Sequence, residues 1–156
     1  MAKAGQLTAM SEQAVEVVRR SFEDASRVKD PSGRVVDALD RETLAVAFDF
    51  FDPEIEIRED PRFPERGVYR GLQAVGRYFA QFTENFDEFT FEAEDFVDLG
   101  DDRVLVLFRL RTRGAESGAR AEARPGWIYT IRGGKAVRIE AYLDRREALA
   151  AAGLAD

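Results

Sequence analysis

The chain of 156 residues contains no cysteine and no histidine. The absence of cysteine excludes disulfides, thiol nucleophiles and thiolate metal sites. The absence of histidine excludes the imidazole general base, the Ser-His and Cys-His nucleophile pairs, and the commonest ligand of zinc, iron and copper. A carboxylate site for magnesium or calcium stays open, but the sequence has no calcium-loop motif. We therefore expect no cofactor and no metal.

Long apolar runs and an excess of positive charge are also missing. No run approaches the ~20 apolar residues that span a bilayer, and residues 1–10 lack the apolar segment of a secretory signal. The net charge is −7, and an acidic surface repels phosphate groups. We expect a cytoplasmic protein without a nucleic-acid or membrane partner.

Aromatic residues, in contrast, are abundant. Twelve phenylalanines are present, and 45% of all residues are hydrophobic, which is typical of a globular protein. A chain of this length can bury a core as one domain. We expect residues 1–10 to form a flexible arm and residues 11–156 to form the domain, with most phenylalanines packed in its core.

The first half of the chain has helical periodicity. Ser11 is a suitable N-cap for a first helix. A second helix, which includes Phe51, should stop at Asp52-Pro53, since the residue before a proline disfavours helical geometry. A third helix begins at Gly71. Its apolar residues share one side: Val75, Tyr78, Phe79, Phe82 and Phe86.

The second half alternates in the manner of strands. Turns divide it into four long antiparallel strands, with a break at Pro125-Gly126 that indicates a bulge. Helices followed by such strands predict an α+β fold. Leu105 and Leu107 make one strand apolar on both faces, which predicts a homodimer through the sheet face. Alternatively, the two leucines lie singly at the surface. The last strand should turn four residues inward: Val137, Ile139, Ala141 and Leu143.

Several motifs, in their order and spacing, resemble a known superfamily. They are Val68-Tyr69-Arg70-Gly71, Asp98-Leu99-Gly100-Asp101, and a tail from Gly134-Lys135 through Tyr142-Leu143-Asp144 to Gly153-Leu154. With them, the chain after residue 10 resembles the nuclear transport factor 2-like superfamily, in its SnoaL-like and ketosteroid-isomerase-like branch. The resemblance implies a cone, with a curved antiparallel sheet wrapped around N-terminal helices and a pocket at the open end. Members include isomerases, cyclases, dehydratases, epoxide hydrolases and proteins without known activity, so the fold does not settle the function.

The Glu59-Asp60-Pro61 run resembles the run of ketosteroid isomerases whose aspartate shuttles a proton. Similarly, Ala141-Tyr142 resembles an Ala-Tyr pair on their last strand. The resemblance implies that Asp60 lies in the pocket as a general base, where an apolar wall would raise its pKa. Alternatively, Asp60 caps the turn before Pro61.

Two hydrogen-bond donors of those isomerases are absent. At their positions this chain has Phe22, which has no donor, and Trp127, which has only an indole N–H. Because losing one such donor costs about 10²–10³-fold in rate, we do not expect a steroid isomerase in the strict sense. The missing donors would be replaced by Tyr78, Tyr129 or Arg58.

Other candidates also have more than one interpretation. Arg58 either pairs with Asp60, holds an anionic substrate, or lies at the surface beside Glu56. Asp95 stands on an apolar face, which is typical of an active-site acid, unless a bulge turns it outward. Asp144 either lies near the mouth of the cone or caps the final helix.

Trp127 and Tyr129 share one strand face. They form either an aromatic pocket wall, with Tyr129 donating a hydrogen bond, or ordinary core packing.

We therefore expect a cofactor-free isomerase, cyclase or hydrolase that binds a small hydrophobic carbonyl-containing or polycyclic compound. The expected catalytic residues are Asp60, Tyr129 and Asp95, and the expected ligand-binding residues are Phe22, Arg58, Tyr78, Phe82, Trp127 and Tyr142. The alternative is a non-catalytic ligand-binding or dimeric scaffold protein of the same fold.

Overall fold

The computed structural model describes residues 13–20, 49–59, 67–114 and 116–154, and for 79–91 it describes the backbone alone. The helices are α1 (13–20), α2 (Gly71–Asn85) and α3 (Arg145–Ala151). The strands are β1 (Phe51–Glu59), β2 (Val68–Arg70), β3 (Phe86–Gly100), β4 (Arg103–Gly114), β5 (Arg120–Ala123), β6 (Gly126–Arg132) and β7 (Lys135–Tyr142). The predicted arm at 1–10 and the predicted N-cap Ser11 lie outside the described residues. Among the residues that the structure describes, no helix has the length and apolar character needed to cross a membrane.

The seven strands form one curved sheet in the order β2-β1-β7-β6-β4-β3, and β5 pairs with β4 beside this path. Together with the helices it makes the predicted α+β cone. All pairs are antiparallel except β1 with β7, which is parallel. The sheet is therefore mixed rather than wholly antiparallel. The last strand, β7, lies between β1 and β6 and runs parallel to β1.

The helix that was predicted to run through Phe51, which precedes β1 and is not α2, ends earlier than its periodicity indicated. Residues 49–50 are helical, but Phe51 already belongs to β1. The pairs Phe51↔Ala136 and Glu56↔Arg138 leave residues 52–55 of β1 opposite a single residue of β7. This irregularity accommodates Pro53, which has no N–H to donate to a ladder.

The inner face of the sheet carries the main core. Alternate residues of four strands are buried there, and α1 and α2 cover them with Ala14, Val18, Val75 and Tyr78. The strand residues are Phe51, Ile55, Ile57, Val104, Val106, Phe108, Trp127, Tyr129, Ile131, Ala136, Ile139 and Ala141.

On the last strand, the predicted inward placement of two residues is wrong. The pairs Thr130↔Arg138 and Ile131↔Ala136 leave Val137 as the extra residue of a bulge, so that Ala136 takes the inward place. Leu143 follows the end of β7 and is 62% exposed.

The outer face is covered by the chain itself. Leu105 and Leu107 are 0% and 8% exposed, and they pack with Ile128, Tyr142 and Ala148, the last of which belongs to α3. The expectation that these leucines need a partner chain, or lie singly at the surface, is therefore wrong. The homodimer through the sheet face loses that reason and stays a prediction.

Asp144 fixes the start of the covering helix. Its Oδ1 accepts a hydrogen bond of 2.7 Å from the backbone N–H of Arg146. A side-chain oxygen at this position satisfies a backbone donor that the first helical turn leaves unpaired. Of its two readings, the helix cap is confirmed.

Candidate functional site

A buried aromatic cluster lies on the inner face of the sheet. The rings of Phe108 and Trp127 meet edge to face with centroids 5.2 Å apart. Tyr129 lies 6.4 Å from Trp127 on the same strand face, and Phe50 lies 6.2 Å from Tyr129. The predicted shared face of Trp127 and Tyr129 is confirmed, because residues two apart on a strand point to the same side.

Two more phenols join this cluster from α2 and β2. Tyr78 is buried on α2, and its ring centroid lies 4.9 Å from that of Tyr69. Burial raises the pKa of Tyr78 well above its usual value, and the charge of Glu59 raises it further. Burial, followed by the influence of Tyr78, likewise raises the pKa of Tyr129. Tyr78 and Tyr129 therefore stay protonated at neutral pH and can donate hydrogen bonds.

Glu59, which ends β1, belongs to the same face. It pairs with Ala141 in the parallel ladder, two positions after the pair Ile57↔Ile139. Ala141, Ile57 and Ile139 all belong to the buried core of the inner face. Because side chains two apart on a strand share a face, the half-buried side chain of Glu59 is directed to the inner side. The sequence interpretation missed this residue, although the alternation of Ile55 and Ile57 contained the signal.

Ala141 separates the carboxylate from the indole in one row across the sheet. It pairs with Glu59 on one side and with Trp127 on the other. Adjacent strands lie about 4.8 Å apart, so the backbones of Glu59 and Trp127 are roughly 10 Å apart. A carboxylate and an indole N–H donor thus flank a side chain that is a single methyl group.

Arg58 faces the other side of the sheet. Its Nε donates to Oε1 of Glu56, and Arg70 Nε and Arg138 Nη2 lie 3.4 and 4.0 Å from the same carboxylate. The Arg58 hydrogen bond has the largest effect and lowers the pKa of Glu56. Burial, the next largest effect, raises this pKa, and the charges of Arg58, Arg138 and Arg70 lower it further. Of the three expectations for Arg58, the surface position beside Glu56 is the one that the geometry shows, with an ion pair between the two side chains.

Asp95 and Tyr142 lie away from the aromatic cluster. The ladder between β3 and β4 slips between Ala93 and Asp95, and the exposed Asp95 accepts a 2.9 Å hydrogen bond from the N–H of Phe96. Asp95 therefore does not lie on the apolar face; of its two interpretations, the bulge that turns it outward is confirmed. Tyr142 is buried in the outer cluster under α3, and its hydroxyl lies 3.4 Å from Oε2 of Glu140. Its expected place near the pocket is wrong, since it faces the opposite side from Ala141.

Three expected site residues cannot be placed. Asp60 and Phe22 lie outside the described residues, and of Phe82 only the backbone is described. Their roles stay predictions. Among the described side chains, no group of three or more carboxylates is arranged to hold a metal ion.

A groove of about 530 Å³ lies between α1 and the turns at the far ends of β3 and β6. Charged side chains of Glu16, Arg20 and Asp102 take part in its lining, together with Gly133 and Gly134. The turn at Gly133 begins β7, whereas Ala141 lies near the end of that strand. The groove shares Ala14 and Ile131 with the inner core, but no ring of the aromatic cluster lines it.

Known proteins share this architecture. A protein of Jannaschia sp. CCS1 assigned to the SnoaL-like polyketide cyclases is 17% identical, with a TM-score of 0.66 over 84% of this chain and 85% of that one. An NTF2-like protein of Burkholderia thailandensis E264 is 25% identical, with a TM-score of 0.65 over 90% and 95% of the two chains. TerC, co-crystallised with polyporic acid, is 18% identical, with a TM-score of 0.64 over 85% and 92%. No match was found among the curated proteins.

A family model supplies the sequence side of this comparison. The model of the SnoaL-like domain matches residues 32–139, which is more than half of the chain. The matched range contains most of the curved sheet and α2, and the solved structures named above share the fold. The chain therefore belongs to the SnoaL-like domain family, within the NTF2-like superfamily.

Proposed function

We propose that the protein is a cofactor-independent enzyme of the isomerase, cyclase or hydrolase type, acting on a small hydrophobic carbonyl-containing or polycyclic compound. One observation carries the proposal. The end of β1 brings a carboxylate to the same sheet face as two buried, protonated phenols and an indole.

The aromatic side chains would hold the substrate. Flat apolar rings pack against aromatic faces, and the edges of the cluster offer a few polar groups that fix the orientation. TerC, a protein of this fold, was crystallised with polyporic acid, which supports a small organic ligand as the partner of this chain.

The carboxylate and the phenols would carry out the chemistry. A carboxylate next to apolar groups removes a proton from the carbon beside a carbonyl, and general-base catalysis of this kind contributes about 10²–10⁴-fold in rate. A phenol that keeps its proton donates to the oxygen on which negative charge develops. Tyr78 and Tyr129 would thereby replace the two donors for which this chain has Phe22 and Trp127.

The test uses β-tetralone, an apolar bicyclic ketone with acidic C–H groups beside its carbonyl. Trp127 is the only tryptophan of the chain, so quenching of its fluorescence reports binding at the cluster. Proton exchange at the acidic carbon in heavy water, followed by NMR, reports proton abstraction. Binding with exchange faster than in buffer supports the enzyme. Binding without faster exchange favours the non-catalytic ligand-binding alternative, and the absence of both contradicts the proposal.

A further inference from the structure

The last two described residues of β1 face opposite sides of the sheet. Arg58 lies on the outer side, where it pairs with Glu56. Glu59 lies on the inner side, because its ladder partner Ala141 and the preceding Ile57 belong to the buried inner core.

The inner position brings Glu59 close to two phenols. Tyr69 pairs with Ile57 across the β1–β2 ladder and packs against the inner core. Its ring lies 4.9 Å from that of Tyr78. Glu59 acts electrostatically on both, since its negative charge raises the pKa of Tyr69 and that of Tyr78 in addition to the larger effect of burial. A base and protonated donors therefore lie on one side of the sheet.

We propose that Glu59, rather than Asp60, is the general base of this site, an inference that rests on the proposed function. The Glu59 carboxylate takes the proton from the carbon beside the substrate carbonyl. The electron pair of the broken C–H bond forms a carbon–carbon double bond, and the carbonyl π pair moves to the oxygen as an enolate. The phenol of Tyr78 donates a hydrogen bond to that oxygen. Glu59 then returns a proton to carbon, so that the carboxylate is regenerated.

Four variants test the assignment, with β-tetralone as the probe. Glu59→Gln removes the base and keeps the size of the side chain, and Asp60→Asn makes the same change at the neighbour. Glu54→Gln is the matched control, because Glu54 is an exposed residue of the same strand. Glu59→Asp keeps a carboxylate, set back by one methylene group.

We expect Glu59→Gln to lose about 10²-fold or more of the catalysed exchange, while quenching of Trp127 shows that the probe still binds. Glu59→Asp should keep part of the exchange, and Glu54→Gln should keep all of it. If Glu59→Gln does not fold, the exchange rate of Glu59→Asp decides, since a shortened base lowers the rate and an uninvolved residue does not. A loss of exchange in Asp60→Asn, with or without a loss in Glu59→Gln, overturns the assignment but leaves the proposed function intact. The absence of catalysed exchange in the unaltered protein overturns both.

Discussion

Gly126 and Ala148 lie in direct contact between β6 and α3. A Cβ added to Gly126 would stand 2.4 Å from the Cβ of Ala148 and 3.2 Å from Cδ2 of Leu107. The missing side chain lets the helix lie close enough to bury Leu105 and Leu107 on the outer face. The glycine is thus required for steric reasons, and the closure of the outer face depends on it.

The substitution Gly126→Ala should lower the free energy of unfolding by about 1–3 kcal/mol, the usual cost of an overpacked core. The added methyl group has no room against Ala148, so α3 must shift away from β6. Urea denaturation followed by the fluorescence of Trp127 measures the change.

The double variant Gly126→Ala, Ala148→Gly is the control for this contact. Ala148→Gly alone should cost about 1 kcal/mol, since glycine is a poor helix former. Moving the methyl group from the helix to the strand should recover part of the loss at Gly126. A double variant whose loss equals the sum of the two single losses would contradict a steric origin.

The sequence predicted the architecture because the relevant patterns are local. Strand alternation indicated the long strands of the second half of the chain, and the motifs around Gly100 and Gly134 indicated the superfamily. The placement of Trp127 and Tyr129 on one buried face followed from the same alternation and is confirmed.

The parts that could not be predicted depend on contacts between distant segments or on single inserted residues. Alternation favoured an apolar face for Asp95 and left a bulge as the alternative, and only the structure shows that the bulge is there. The cover over Leu105 comes from a helix about 40 residues later in the chain. At the candidate site, the Glu59-Asp60-Pro61 run led to the prediction of Asp60 as the base. The two-residue alternation along β1 instead places Glu59 on the inner side.

Glu56 should make the stability depend on pH. Its pKa is lowered in the folded protein, chiefly by the hydrogen bond from Arg58. A lowered carboxyl pKa contributes stability above the ordinary value of 4.5, and this contribution is lost as the pH falls through the folded-state pKa. Because each of the three arginine side chains is more than a third exposed and solvent screens its charge, Glu56→Gln should cost only about 1 kcal/mol or less at pH 7. Urea denaturation at a series of pH values measures the difference, which should shrink towards zero in acid. A difference that stays constant down to pH 3 would show that lost packing, and not charge, is its cause.

A pH titration of the tyrosines should show, without any ligand, whether the side chain of Glu59 faces the phenols on the inner side of the sheet. The chain has four tyrosines, and the negative charge of Glu59 raises the pKa of Tyr69. Glu59→Gln removes that charge and leaves the burial, so phenolate absorbance should begin to appear at lower pH than in the unaltered protein. Glu54→Gln, on the same strand but exposed, should leave the onset in place. An unchanged onset in Glu59→Gln would mean that the carboxylate does not lie near the phenols.

Ala141 should control the access of a ligand to the row between Glu59 and Trp127. The substitution Ala141→Leu places three more carbons on the inner face between the carboxylate and the indole, because Ala141 pairs with both residues. We expect it to abolish the quenching of Trp127 by β-tetralone and the exchange of the probe, at a cost in stability of about 1–3 kcal/mol. The control is Ala150→Leu, which adds the same group at an exposed position of α3 and should leave binding unchanged. Quenching of equal strength in Ala141→Leu, in a variant whose circular dichroism shows it folded, would place the ligand elsewhere on the protein.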